Sequence, residues 1–329
     1  MENHEILGEV GNTLKTLNEN VPTHVKAGFY KALVRLGSAL IDVPIAKLEG
    51  FAQEIRATTQ SRESLVRKVG EEIKSNIETS KEYSDYAVKM FSEKILRKQI
   101  NIDAVTSITA SEINNTIYNA NDQSSKELSD EWLDEFEEIC RNKSSDDMRM
   151  IFGKILAQEI RNPGFSSIKT LKTISQLDRD IAEYFLQFSR ICVHVKRGDQ
   201  IVAVFAPEFK SGPFNIGDFT EFNIAPAVVI LLKEFGLVSD SSDYSIVFDS
   251  SEFSDNIKGI HEFYMGDKKV YVQKKNSGAK DLVHMNGQIF STAGKDLYSI
   301  IRPDFNIAVE NKLNDYFNEE GYNLVGSPL

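Results

Sequence analysis

Between residues 45 and 102 the chain carries dense alternating charge and no proline. Apolar residues recur there mostly at steps of three and four. They are Leu48, Phe51 and Ile55, then Leu65, Val69, Ile73 and Ile77, then Tyr83, Tyr86, Met90 and Ile95. That spacing predicts one long helix, or two collinear ones, with a thin apolar seam. At about 1.5 Å per residue such a helix would extend ~80 Å, more than the width of a compact domain of this size. A thin seam cannot bury itself, so a partner helix is implied, from the same chain or from a second copy. The seam lapses between Ile55 and Leu65, but residues 56–64 contain no proline or glycine to reverse the chain. Projection of the helix and a homo-oligomer, most simply a two-fold dimer, is the expectation. A fold-back near 56–64 is the alternative.

The segment before it is a second helix, opened by Pro22-Thr23 and closed by Pro44. Phe29, Leu33, Leu36, Leu40 and Val43 form one wide apolar face. Lys31, Arg35, Ser38 and Asp42 form a narrow opposite stripe, and the helix carries Lys26, Lys31 and Arg35 with no acidic residue before Asp42. A basic amphipathic helix of this kind fits a bundle core, an oligomer contact or a membrane interface. Further helices are predicted over about 102–121, from Ser129 through Trp132, Phe136 and Cys140, and from Ser145 through Met148, Ile151, Phe152, Ile155, Leu156 and Ile160. Met148, Ile151, Phe152, Ile155 and Leu156 are expected to pack on Trp132 and Phe136. Two shorter helices follow, over 168–174 and from Asp178 through Phe188.

After about residue 190 the composition turns β-branched. A short hairpin over 193–205 turns at Gly198-Asp199, and a helix over 225–235 ends at Gly236. Lys269-Val-Tyr-Val-Gln reads as a strand, and helices are expected through Leu297 and over 307–317. The predicted fold class is mainly α: a helical N-terminal portion with a long helix, followed by a smaller α+β, winged-helix-like domain at the C-terminal end. The predicted domains are 1–125, a long-helix region; 126–190, a helical bundle; and 191–329, the α+β domain.

A hydrophobic share of 41% and a charged share of 26% exclude a wholly disordered chain. The net charge of −11 disfavours a generic nucleic-acid coat. One basic cluster remains: Lys268, Lys269, Lys274, Lys275 and Lys280, on a predicted wing-like hairpin that could touch phosphate. Its surroundings are acidic and the 225–235 helix carries only Lys233, so a solubilising hairpin is the competing reading. Two cysteines, Cys140 and Cys192, suggest a reducing compartment. The N-terminus lacks a secretory pattern and no apolar run approaches the ~18 residues of a membrane span. The expected location is cytoplasmic, with peripheral attachment at the inner membrane as its variant.

Catalytic signals are thin. The five histidines are scattered, and Cys192-Val-His194 lacks two further ligands for zinc. Neither common phosphate-cradling glycine motif occurs, nor does a nucleophile elbow. Asp134, Glu135, Glu137, Glu138, Asp146 and Asp147 sit at helix starts and on polar faces, where capping explains them. Glu159 adjoins the apolar stripe of its helix, and a structural ion pair with Arg161 or Arg149 is expected. No cofactor and no metal are expected.

The middle of the chain contains Arg97-Lys-Gln-Ile-Asn101, Trp132…Phe136, Asp146-Asp147-Met148, Ile151-Phe-Gly-Lys-Ile-Leu-Ala-Gln-Glu-Ile160 and Pro163-Gly164. In these residues it resembles a bacterial family known as domain of unknown function 2806. Glu234-Phe-Gly-Leu-Val and Thr292-Ala-Gly-Lys-Asp-Leu297 extend it. Such proteins have no established activity. The stretch 156–164 is also similar to helical proteins linked to abortive phage infection. The expected function is that of a non-enzymatic bacterial interaction or regulatory protein that self-associates through its helices, with phage defence, which the likeness to abortive-infection proteins suggests, as its most concrete version. The alternatives are a membrane-surface effector acting through residues 24–43, a winged-helix-like nucleic-acid binder, and a hydrolase with a site around Trp132 and Glu159. A second copy is the first expected partner. A protein partner and a membrane surface stand beside it, and nucleic acid is disfavoured.

Overall fold

The computed structural model describes residues 17–38, 81–118, 126–210, 217–240, 245–249, 260–275 and 282–326. Residues 45–80 of the helix predicted over 45–102 therefore lie outside the described residues, as do Leu40, Val43 and Lys280. The chain divides into two compact units, Met1–Ile168 and Lys169–Leu329.

The described part of the first unit is helical: α1 (Thr23–Leu36), α2 (Lys81–Asn114), α3 (Asp130–Cys140) and α4 (Asp146–Arg161). The starts of α3 and α4 follow from their capping residues. Ser129 accepts the amide of Trp132, and Ser145 accepts that of Met148, each ahead of two acidic residues that suit the helix dipole. Helix α1 ends at Gly37, whose φ of 62° lets its amide reach back to Val34. The chain break expected near residue 102 is absent. Helix α2 runs through it, because Ile102, Val105, Thr109 and Ile113 continue the three-and-four spacing and all four are buried. Helix α4 crosses α2 closely at Gly153, where a Cβ would stand 2.5 Å from Ile108 Cγ2, and the Thr109 hydroxyl donates to the Gly153 carbonyl. The expected aromatic core is present. Phe152, Ile155 and Leu156 are fully buried, Phe152 meets Phe136 edge-on, and Phe136 stacks on Trp132. Met148 and Ile151 are half-buried.

The second unit opens with α5 (Ile168–Ser175) and α6 (Arg179–Ser189), the latter capped by Asp178. It continues through β1 (Val193–Arg197), β2 (Gln200–Pro207), α7 (Pro226–Glu234), β3 (Ser245–Asp249), β4 (Glu262–Met265), β5 (Lys268–Lys274) and β6 (Leu282–Ile289). It ends with α8 (Thr292–Ile301), α9 (Ile307–Glu319) and β7 (Tyr322–Gly326). The strands form one seven-stranded sheet in the order β3-β6-β2-β1-β4-β5-β7, with antiparallel pairings throughout. The predicted hairpin about Gly198 is β1–β2, with that glycine at φ 60°. Phe205, Phe248, Phe263 and Phe317 join sheet to helix in one aromatic cluster. Phe185, Phe188 and Phe290 form another.

This sheet corrects the expected fold class. The protein is α+β, not mainly α with a small β part. The lysine-bearing hairpin is also not a projecting wing: β5 is paired on both edges, by β4 and by β7. The second strand of the expected hairpin, β6, pairs with β2 and β3 rather than with β5, and β3, β4 and β7 escaped the sequence reading because each looks weak alone. Strand β6 contains Asn286 and Gly287, and β7 buries only Tyr322. Their strand character comes from partners distant in sequence.

Candidate functional site

Helix α2 has two regimes. Its lower half packs on α4 and α1. In its upper half every residue from Lys89 to Arg97 is exposed, more than two full turns. Four of those nine are large and apolar: Met90, Phe91, Ile95 and Leu96 are 48%, 57%, 43% and 61% exposed. Phe91 and Ile95 continue upward the stripe that is buried below as Ile102, Val105, Thr109 and Ile113. A second seam runs through Tyr86, Lys89, Glu93 and Leu96, spaced three, four and three. An isolated helix gains nothing from such residues in water, so this segment is shaped for contact.

The base of that segment is fixed by a polar network. Gln99 Nε2 donates to the Gly37 carbonyl and to Asp103 Oδ1, and the Ser38 hydroxyl donates to the same carboxylate. Asn101 donates to the Arg141 carbonyl, and its own oxygen accepts from Arg149. The Gln99 and Asn101 of the recognised motif are thus joints between helices rather than reactive groups.

A cavity of about 470 Å³ lies beside α3 and α4 in the same unit. Lys126, Glu127 and Ser129 form its rim. Trp132, Glu159, Pro163, Gly164, Ser166 and Ile168 complete its lining. Glu159 is 2% exposed. One of its oxygens accepts the amide of Gly164 at 2.6 Å, the other that of Ser166 at 2.9 Å. Gly164 sits at φ 90°, a backbone conformation that other residues rarely adopt, and so presents its amide to the carboxylate. Of the two arginines considered for Glu159, Arg161 donates to Thr116, and Arg149 donates to Asp146 and Asn101. The Nε1 of Trp132 and the Oγ of Ser166 are buried and have no hydrogen-bond partner among the described residues.

The residues singled out from sequence fall in several places. Phe29, Leu33 and Leu36 are buried within the first unit. Lys31 and Arg35 of the same helix pair with Asp130 and Asp134 of α3, and Arg35 holds the Asp134 carboxyl below its ordinary range. As folded, that apolar face is used inside the chain. Lys268 pairs with Glu310 at 2.5 Å. Lys269 pairs with Glu262 and lies over the Tyr271 ring. Lys275 donates to the Asn318 carbonyl, and Lys274 ends β5. The basic residues are spread along one hairpin, and Lys268 and Lys269 are matched by acids.

His194, weighed in sequence only as a zinc ligand, belongs to a buried polar group in the second unit. His194 Nδ1 lies 3.2 Å from the Tyr298 hydroxyl, which donates onward to the Cys192 carbonyl. The imidazole stacks on Tyr264, and burial beside Lys196 and Arg302 pushes its pKa down to about 3. It is neutral at physiological pH. Asp296 accepts from Thr170 and is 1% exposed, and burial pushes its pKa up to about 6. Cys140 and Cys192 are free, buried thiols, held protonated by that burial. Among the described residues no group of three or more histidines, cysteines or acids is placed to hold a metal. Among them, too, no helix is long and apolar enough to cross a membrane.

A family model described as "Protein of unknown function (DUF2806)" matches residues 87–314. No curated protein and no solved structure matches the chain.

Proposed function

We propose, from the premise that the chain belongs to the DUF2806 family, that it is a non-enzymatic interaction protein whose upper α2 segment pairs with a second copy. The observation that carries this is the run of nine exposed residues from Lys89 to Arg97, with its four bare apolar side chains. The second seam supplies the geometry. Tyr86, Lys89, Glu93 and Leu96 occupy a coiled-coil-type face. In an antiparallel pair centred at residue 91, Tyr86 of each copy meets Leu96 of the other, and Lys89 meets Glu93. Both matches occur twice by symmetry. A parallel pair would set Lys89 against Lys89 and Glu93 against Glu93.

The test is oligomeric state together with cross-linking. Wild type should scatter light as a dimer at micromolar concentration. Lys89→Glu should shift it toward monomer, and adding Glu93→Lys should restore the dimer. Under oxidation, Tyr86→Cys combined with Leu96→Cys should give a covalent dimer, which neither single variant gives. A strict monomer, or cross-linking by the single Tyr86→Cys variant, overturns the antiparallel pairing.

We place this protein in bacterial cytoplasm, with a role in phage defence. The buried, unpaired thiols suit a reducing compartment. The 156–164 stretch carries the likeness to abortive-infection proteins. Phage plating on bacteria that express wild type or the Lys89→Glu variant tests the role. Equal plating with and without the protein, across a phage panel, removes it.

A further inference from the structure

The sheet of the second unit ends in two unlike strands. At one end β3 carries Asp249, and its Phe248 is bridged to Ile260 on the side away from β6. At the other end, among the described residues, nothing pairs with the outer side of β7. Edge strands invite pairing with another chain, and proteins blunt them with charge, proline or a bulge. Residues 322–326 hold no charge and no proline, and they follow β5 through five consecutive pairs without a bulge.

The phase of the ladder tells which groups this edge offers. The Lys275 amide donates to the Gly321 carbonyl, whereas the Val272 amide donates the other way, to His261 ahead of β4. Bonds alternate along an antiparallel ladder, so Asn323 and Val325 turn their N–H and C=O groups to β5, and Leu324 and Gly326 turn theirs outward. The Val325 side chain is 42% exposed, beside the half-buried Tyr271 on the same face of the sheet.

We propose that β7 is a second self-association surface, through which two copies join their sheets edge to edge in an antiparallel pair centred on Val325. A second copy matches this edge by symmetry. Leu324 of each copy meets Gly326 of the other and exchanges both backbone bonds with it. Val325 meets Val325 at the axis, in the closer, non-hydrogen-bonded kind of pair. The row Tyr271, Val325, Val325, Tyr271 then runs unbroken across the joint, and neither strand brings a charge to it. So short a strand buries less than the ~1,200–2,000 Å² of a stable interface, so the contact forms above the micromolar range. It does not rest on the α2 pairing, which lies in the first unit. Where both contacts operate, they link dimers into larger assemblies.

The experiment uses the full chain carrying Lys89→Glu, which weakens the α2 pairing, in sedimentation at sub-millimolar concentration. This protein should be largely dimeric there. Adding Val325→Lys sets lysine against lysine at the axis and should leave monomer, and adding Val325→Glu should do the same. Mixing the two should restore the dimer. Val325 lies at the surface, so both variants should melt as their parent does. Under oxidation Val325→Cys should give a covalent dimer, because the axis sets it against itself. Asn323→Cys, which the axis does not pair with itself, should not. The native thiols are buried and stay out of the reaction. A monomer at the highest concentration, a dimer that Val325→Lys leaves intact, or equal cross-linking by both cysteine variants overturns the proposal. These outcomes do not depend on whether α2 pairs, so the two contacts fail separately.

Discussion

Burial of Asp296 beside Thr170 and Lys295 gives the second unit a definite pH dependence. Its folded pKa of about 6 stands above the unfolded carboxyl value of about 4, so the folded state holds this proton more tightly. That stabilisation is full below pH ~4 and is lost as the pH rises through about 6. Asp296→Asn should therefore flatten the pH profile in this window and raise stability at pH 7 by ~2–3 kcal/mol, read by denaturant unfolding at several pH values. Gly153 makes the opposite case. A methyl group there meets Ile108 Cγ2 at 2.5 Å and the Val105 carbonyl oxygen at 3.2 Å. Alanine is the better helix former, but overpacking at a helix crossing costs ~1–3 kcal/mol. Gly153→Ala should destabilise on balance, and Gly153→Val should do so more strongly. Glu159 shows where residue-level reading stops. Its place beside an apolar stripe foretold burial, but not that the amides of a Pro-Gly turn would receive it. The unpartnered state of Trp132 and Ser166 leaves no mark in sequence, since it depends on what fails to come near.

Helices were legible where local signals coincide. Ser129, Ser145, Asp178 and Ser291 each precede an apolar periodic run, and each accepts a backbone amide at its helix start. Ser145→Ala should cost about 1 kcal/mol of cap energy, measured by chemical unfolding of the whole chain. The interior of α4 matters more: Ile155 is fully buried against its neighbours, and Ile155→Ala should cost ~2–5 kcal/mol. Strands were legible as a hairpin about Gly198, as the alternation of β5 and as one further strand before Thr292, whose partners were not. The sheet was not, because β3, β4, β6 and β7 owe their state to pairing across long sequence separations. Tyr322 illustrates this. It looks like a residue past the last helix, yet it is 1% exposed and opposite Lys274 in the ladder. Tyr322→Ala should cost ~3–5 kcal/mol by loss of a buried aromatic at the sheet edge, seen as a lower denaturant midpoint.

The whole chain has two cores, one helical in its described part and one built on a seven-stranded sheet. Each holds one buried thiol: Cys140 closes α3 in the first, and Cys192 precedes β1 in the second. A thiol reagent attacks only the exposed thiolate. Both cysteines should stay silent in the native protein at neutral pH and react only when their own core opens. The two sulfurs are therefore built-in reporters, each timing the breathing of the core around it. Followed by mass spectrometry in rising denaturant, the labelling rate of Cys140 gives the opening free energy of the helical core, and that of Cys192 gives the opening free energy of the sheet.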